Sequence, residues 1–298
     1  MGIVLGLDIM PLEIEPAEWE CFYDKILEIT RAFPLPVLRY GCERKFGYQR
    51  LLLSHNPESK DERGRYLAIT GDAQTGLWGE QFIIYRDLHV YRQKLYRLIN
   101  SPEKEEKQTS QVETNALANW PILLQEDKSV NVFFEKTQSR PYHDLIWSIV
   151  TLAENLFAGR ACATGNLNAR EWQGTLQWLK SVTGRRLKKP LLLDVERLWH
   201  AFGPAFTGLE LVQKVTEKLV GGPAPLYRFL KRKDPLLLGD FAKARLSSCD
   251  SQTVGALSEC LDVLDGTEDL RFLVEMGCLA SNGPRWNLVD VLSIAFRL

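Results

Sequence analysis

Residues Tyr142 to Trp178, YHDLIWSIVTLAENLFAGRACATGNLNAREWQGTLQW, constrain this chain more than any other stretch. Leu145, Ile149, Leu152 and Leu156 recur at helical spacing, and Ile146, Val150, Ala153 and Phe157 widen the stripe. A stripe that broad belongs to a helix buried against a sheet or between helices. Gly159 is placed to end it, since a glycine just past a helix takes the left-handed turn without strain. Arg160 to Thr164 is short and β-like, and Gly165-Asn166 supplies a turn. Asn168 then caps a second helix, with Glu171 three residues later completing a capping-box pattern. In that helix Trp172, Leu176 and Leu179 share one face, which predicts an inward-facing Trp172. Gly174 costs about 1 kcal/mol relative to alanine there, so a close backbone neighbour is expected beside it.

The rest of the chain sorts around this module. Ile3 to Ile9 predicts a strand. Pro16 suits the first helical turn, where its missing N–H has no intrahelical acceptor. Trp19, Phe22, Ile26, Ile29 and Phe33 then mark one apolar helix face, which Phe33-Pro34-Leu35-Pro36 ends. Three β-rich runs follow, Tyr48 to Ser54, Tyr66 to Thr70 and Gln81 to Tyr85, joined by HNPESKDERGR and GDAQTGLWG. They predict an antiparallel meander. Asp87 to Ile99 predicts a helix, Ser101 to Gln111 a solvated linker without apolar residues, and Val130 to Phe134 the last strand of the first sheet. Further helices are expected at Asp194 to Phe202, Leu209 to Val220, Pro225 to Leu230, Phe241 to Leu246, Thr253 to Leu264 and Glu268 to Met276. Arg285 to Leu298 reads as a strand and a helix. The expected fold class is α+β, with a mixed domain over 1–140 containing the meander and a mainly helical domain over 141–298.

Length and composition narrow the function classes. A chain of 298 residues with 45% hydrophobic content builds a large core without staples. Its formal net charge of -1 provides no global field toward nucleic acid or membrane. No run approaches the ~18 apolar residues of a membrane span. The N-terminus lacks a basic region and a small-residue cleavage site. A cytoplasmic protein with no membrane association is therefore expected. The six cysteines form no C-x-x-C pair and read as free thiols.

Chemistry-bearing motifs are sparse. There is no G-x-S-x-G elbow and no P-loop, because GDAQTGLWG lacks the Lys-Ser/Thr ending. His55, His89, His143 and His200 make no zinc-binding spacing. Glu58-Ser59-Lys60 and Glu105-Glu106-Lys107 match half of a metal-dependent nuclease site, but both lie in polar loops. No catalytic residue, metal or cofactor is expected. Two basic clusters, Arg185-Arg186 with Lys188-Lys189 and Arg228 with Lys231-Arg232-Lys233, lack the interleaved aromatics of a single-strand binder. Lysine and arginine at helix C-termini explain them more simply.

One charge asymmetry points to a partner. Asp8, Glu13, Glu15, Glu18, Glu20, Asp24 and Glu28 face only Lys25 within the first thirty residues. Such an acidic band suits a basic protein surface, since complementary charge speeds association. Glu18 and Glu20 represent it among the candidate contact residues. Asp72, Trp78 and Glu80 of the glycine-rich loop complete the set, with Trp78 as anchor.

The block AENLFAGRACATGNLNAREWQGTLQWLKSVTGR resembles a segment of bacterial proteins encoded beside polymorphic toxins. The shared pattern is helix, FxGRA, small residues, a Gly-Asn-Leu-type turn, and a helix with internal tryptophans. The resemblance implies an immunity protein, the antidote of a type VI secretion effector with a restriction-endonuclease-like toxin domain, that occludes the toxin without turnover of its own. Two alternatives stand beside it. One is a nucleic-acid-binding regulator with a winged-helix-like C-terminal end, which Glu259, Asp262, Asp265, Glu268 and Asp269 oppose. The other is a secretion adaptor or chaperone.

Overall fold

The computed structural model describes residues 3–33, 38–39, 52–53, 66–72, 77–100, 121–137, 142–250 and 253–295. The chain is α+β. It divides into two compact units, Met1–Leu193 and Asp194–Leu298. This boundary lies well past residue 140, and the module at 142–178 explains why.

β1 (Val4–Ile9) is the centre of an antiparallel three-stranded sheet, flanked by β6 (Val130–Lys136) and β7 (Ala161–Gly165). The β-like run after Gly159 is thus an edge strand of the first sheet, and it ties residues beyond 141 to the N-terminal strand. Leu5, Leu7 and Ile9 are fully buried. Gly6 is required between its neighbours: a Cβ there would lie 2.4 Å from Thr164 Oγ1 and 2.5 Å from the Phe134 ring.

Helix α1 (Pro16–Ala32) buries Trp19, Phe22, Tyr23, Ile26 and Ile29, as its periodicity requires. It packs against α3 (His143–Leu156) and α4 (Ala169–Thr183). Helix α3 is covered on nearly every side, with Leu145, Ile149 and Leu152 fully buried. In α4 Thr175 and Leu179 are buried, while Trp172 and Leu176 are only half-covered. Trp172 therefore does not face fully inward. Gly174 has nothing within 4 Å of an added Cβ, so no close backbone explains it. Asn168 caps α4 by accepting the Arg170 N–H, but Glu171 is turned to other partners described below.

The expected meander holds only in part. β4 (Tyr66–Asp72) and β5 (Leu77–Tyr85) form an antiparallel hairpin with an irregularity between Ile69 and Gly71. β2 (Leu38–Arg39) pairs in parallel with β3 (Leu52–Leu53), so the run at 48–54 finds its partner upstream in the chain. Helix α2 (His89–Ile99) follows the hairpin. The linker at 101–111 and both Glu-x-Lys triplets lie outside the described residues.

The second unit contains α5 (Val195–Phe202), α6 (Gly208–Lys218), α7 (Ala224–Lys233), α8 (Pro235–Ser247), α9 (Val254–Thr267), α10 (Leu270–Val274), a π-helical turn (Glu275–Leu279) and α11 (Leu288–Ala295). Helix α8 starts six residues before the expected Phe241, because Asp234 accepts the Leu237 N–H and Pro235 begins the helix. Gly239 lies inside it and is not a break. No strand occurs here among the described residues. Where one was expected at Arg285, the backbone turns left-handed at φ 53. Gly266 lets α7 and α9 touch, since a Cβ there would sit 2.5 Å from the Ala224 carbonyl oxygen. Arg245 reaches from α8 to Glu259 on α9, pairing Nε with Oε2 at 3.0 Å and Nη2 with Oε1. No helix among the described residues is long and apolar enough to cross a membrane.

Candidate partner-binding surface

Glu18, Glu20, Asp24 and Glu28 lie along the exposed side of α1 and Glu13 and Glu15 just before it, whereas Asp8 lies on β1 and accepts an Asn131 N–H at 2.9 Å. The acidic band is not as bare as the first thirty residues suggest. Arg160, next to the start of β7, meets Glu18 with two hydrogen bonds, at 2.7 and 3.0 Å. It also donates to the Glu13 carbonyl at 2.8 Å. Glu18 additionally accepts the Glu15 N–H at 3.1 Å, closing the first turn of α1. The Arg160 guanidinium first, and that N–H second, hold the Glu18 carboxyl below its ordinary range. Glu18 is thus committed within the molecule.

Arg86, at the end of β5, serves the next two acids. Its Nη2 lies 2.6 Å from Glu20 and 3.5 Å from Asp24. The same guanidinium sits 5.6 Å from the Tyr23 ring centre. Both carboxylates stay more than half exposed, at 58% and 56%. One turn further on, Glu28 is exposed and in no ion pair among the described residues. Glu20, Asp24 and Glu28 therefore form a ridge of three carboxylates one turn apart; Arg86 pairs with the first two, and Lys25 and Arg185 line a small pocket with Glu28. Successive members are about 6 Å apart along the axis. The helix beneath is anchored by Trp19, whose Nε1 donates to the Tyr85 carbonyl at 3.1 Å.

The glycine-rich segment is distributed differently. Asp72 and Trp78 lie on strands, in the pairs Asp72↔Leu77 and Gly71↔Trp78. Residues 73–76 lie outside the described residues. Glu80 accepts the Lys136 N–H at 2.8 Å, with Lys136 Nζ 3.7 Å from its other oxygen. That N–H, and then the Glu135 side chain, lower the Glu80 carboxyl. Burial first, then the hydrogen-bonding contact with Glu80, and after it the Glu80 charge push Glu135 the other way. Glu80 thus closes one end of the β6 edge, while Lys94 caps the Asn131 carbonyl at 2.6 Å near the other. These two side chains hold β6 to the neighbouring β5 and α2.

One constellation was not foreseen. Thr137 Oγ1 lies 2.6 Å from His143 Nδ1, and His143 Nε2 lies 3.1 Å from Glu171 Oε2. The Thr137 hydroxyl also donates to the Ile3 carbonyl at 3.2 Å, so its single proton serves that carbonyl or the His143 ring but not both. Thr137 is fully buried, and no described cavity is lined by these residues. The arrangement locks the end of β6 to α3 and α4. His143 alone gave no sign of it, because its partners lie 6 and 28 residues away.

Arg228 and Lys231 of the second basic cluster resolve locally. Arg228 Nη2 donates to the Asp265 carbonyl at 2.8 Å and Lys231 to that of Thr267, so both cap the C-terminal end of α9. Lys188 exchanges two backbone hydrogen bonds with the Asn155 side chain. Burial raises Cys260 to about 11, which makes it a packing thiol. Among the described residues no group of three or more His, Cys, Asp or Glu side chains is placed to hold a metal ion. Compared with known proteins, the chain matches no family model, no curated protein and no solved structure.

Proposed function

We propose that this protein acts by binding another protein, as an immunity protein that neutralises a cognate bacterial toxin. The observation that carries the reading is the ridge of Glu20, Asp24 and Glu28 on a rigidly anchored helix, in which Arg86 is the ion-pair partner among the described residues. A nuclease cleft is basic because it must attract phosphate. Carboxylates at one-turn spacing offer such a cleft a complementary surface, and charge of this kind accelerates encounter. The segment from Ala153 to Arg185, with its likeness to proteins encoded beside polymorphic toxins, supports the same reading. It supplies Arg160, which fixes the first turn of α1.

The test is coexpression with the product of the neighbouring gene. The expected outcome is copurification of the two proteins and survival of cells that the partner alone kills. Equal killing with and without this protein overturns the proposal. Copurification without protection identifies an adaptor or chaperone instead.

A further inference from the structure

A small, largely enclosed cavity of about 80 Å³ lies between α1, α3 and the C-terminal end of α4. Its floor is apolar, with Ile29 and Leu152 almost wholly buried. Its rim carries three charges: Lys25 and Glu28 of α1, and Arg185 just past α4. The walls are held in place. Phe33, at the end of α1, meets Trp178 of α4 edge to face, with ring centres 5.3 Å apart. Helix α4 ends on Gly184, whose φ of 65 turns the chain left-handed. Thr183 Oγ1 donates to the Leu179 carbonyl at 2.7 Å and accepts the Arg185 N–H at 3.3 Å, which fixes the backbone that carries Arg185.

The three charges are not spent on one another. Lys25 and Glu28 lie three residues apart on one helix, a spacing at which opposite charges commonly meet. They form no ion pair among the described residues. The Arg185 side chain likewise makes no ion pair or hydrogen bond there. Arg228 and Lys231 show what a cation does when it caps a helix end: each donates to a carbonyl of α9. Arg185 reaches no such carbonyl, so capping does not account for it. Two cations and one carboxylate give the cavity an excess of one positive charge, above an apolar floor that weakens screening. A net anion suits this balance better than a neutral zwitterion.

Volume sets the size of that anion. One water needs about 10–15 Å³ of such space, so the cavity takes an ion of about five heavy atoms. Pockets for larger ligands run to roughly 300–1,000 Å³. Glu28 then selects among small anions. A carboxylate only accepts hydrogen bonds, so it opposes an anion that has no proton to give and admits one that has. Phosphate keeps at least one proton at neutral pH, whereas sulfate keeps none. We propose that this cavity binds inorganic phosphate, with Arg185 and Lys25 on its charged oxygens and Glu28 accepting its remaining proton. A guanidinium offers phosphate a planar fork and an ammonium offers it a point charge. The proposal does not rest on the immunity reading, and its test involves no toxin.

Isothermal titration of the full chain with sodium phosphate, sodium sulfate and glycine, at equal ionic strength and neutral pH, tests it. Phosphate is expected to saturate one site, with sulfate bound about tenfold more weakly or worse. Glycine is expected not to bind. Arg185→Gln and Lys25→Gln, at positions open enough to leave the fold intact by circular dichroism, are each expected to weaken phosphate about tenfold. Glu28→Gln supplies an amide donor in place of the carboxylate, so the preference for phosphate over sulfate should largely vanish. Arg186→Gln, one residue along and outside the cavity, should change nothing. The proposal is overturned by the absence of saturable phosphate binding, by sulfate bound as well as phosphate, or by glycine bound in its place. It is also overturned by an affinity that Arg185→Gln leaves unchanged, by a sulfate preference that Glu28→Gln leaves unchanged, or by an equal loss in Arg186→Gln, which would assign the binding to the general basic field.

Discussion

The carboxylate of Glu154, fully buried in α3, accepts the N–H of Ala163 on the edge strand β7 at 2.7 Å. Its second oxygen accepts the N–H of Leu191 at 2.8 Å. One side chain thereby closes the open edge of the sheet and fastens the turn that ends the first unit. Glu154→Ala leaves two buried N–H groups without these acceptors, at about 1–3 kcal/mol each. The expected loss in denaturant-induced unfolding of the first unit is therefore roughly 2–6 kcal/mol. Glu154→Gln keeps one carbonyl oxygen and should fall between. An alanine variant as stable as the parent would show that water replaces the carboxylate there.

Glu18 makes stability depend on pH. Its folded-state carboxyl is held below the ordinary value by Arg160 and the Glu15 N–H. A depressed carboxyl stabilises above its unfolded value, and that contribution fades as pH falls through the folded one. Glu18→Gln should therefore be less stable than the parent at neutral pH, by up to about 1 kcal/mol for an exposed pair and cap. The gap should narrow on acidification. Thermal melts at several pH values check this; a constant gap would assign the effect to shape alone.

The elements most legible in the sequence were those whose signal is local. The apolar stripes from Trp19 to Phe33 and from Leu145 to Leu156 gave α1 and α3, and Asn168 marked the cap of α4. Pairing partners were not legible, because alternation identifies a strand without naming its neighbour. β7 therefore read as part of a helical domain until β1 claimed it. The candidate surface was affected in the same way. The acidity of α1 is a local fact, whereas the guanidiniums that answer it arrive from 66 and 142 residues downstream. Glu171 sits in a capping-box position, yet a buried imidazole competes for its carboxylate. The start of α8 is written in Asp234-Pro235, a cap and a first-turn proline, rather than in the apolar run at Phe241.

Glu80 and Glu135 respond to pH in opposite directions. Glu135 is raised by burial and by its neighbour, so its contribution is complete below its unfolded value and is lost as pH rises through the folded one. Glu80 is lowered by the Lys136 N–H and by Glu135, so its contribution is lost as pH falls. Glu135→Gln, permanently neutral and still a hydrogen-bond donor, should gain on the parent as pH rises. Glu80→Gln should lose on it over the same range. Chemical denaturation across the carboxylate range compares them, and parallel curves for all three proteins would remove the coupling.

The ridge on α1 predicts a kinetic signature. Charges at an interface rim act mainly on the encounter rate, whereas buried contacts govern dissociation. Asp24 and Glu28 are exposed and belong to none of the buried contacts that hold α1, so Asp24→Lys with Glu28→Lys should leave folding intact. Against the copurifying toxin, the double variant should associate about tenfold more slowly at low salt, with dissociation little changed. Raising the ionic strength should bring the two association rates together, because the Debye length falls from about 30 Å at 0.01 M to about 10 Å at 0.1 M. Glu18→Gln, which removes a carboxylate already committed to Arg160, should slow association far less. Stopped-flow measurements of the three proteins distinguish ridge from cap. Equal rates for the double variant and the parent at low salt would exclude the α1 face as the docking surface.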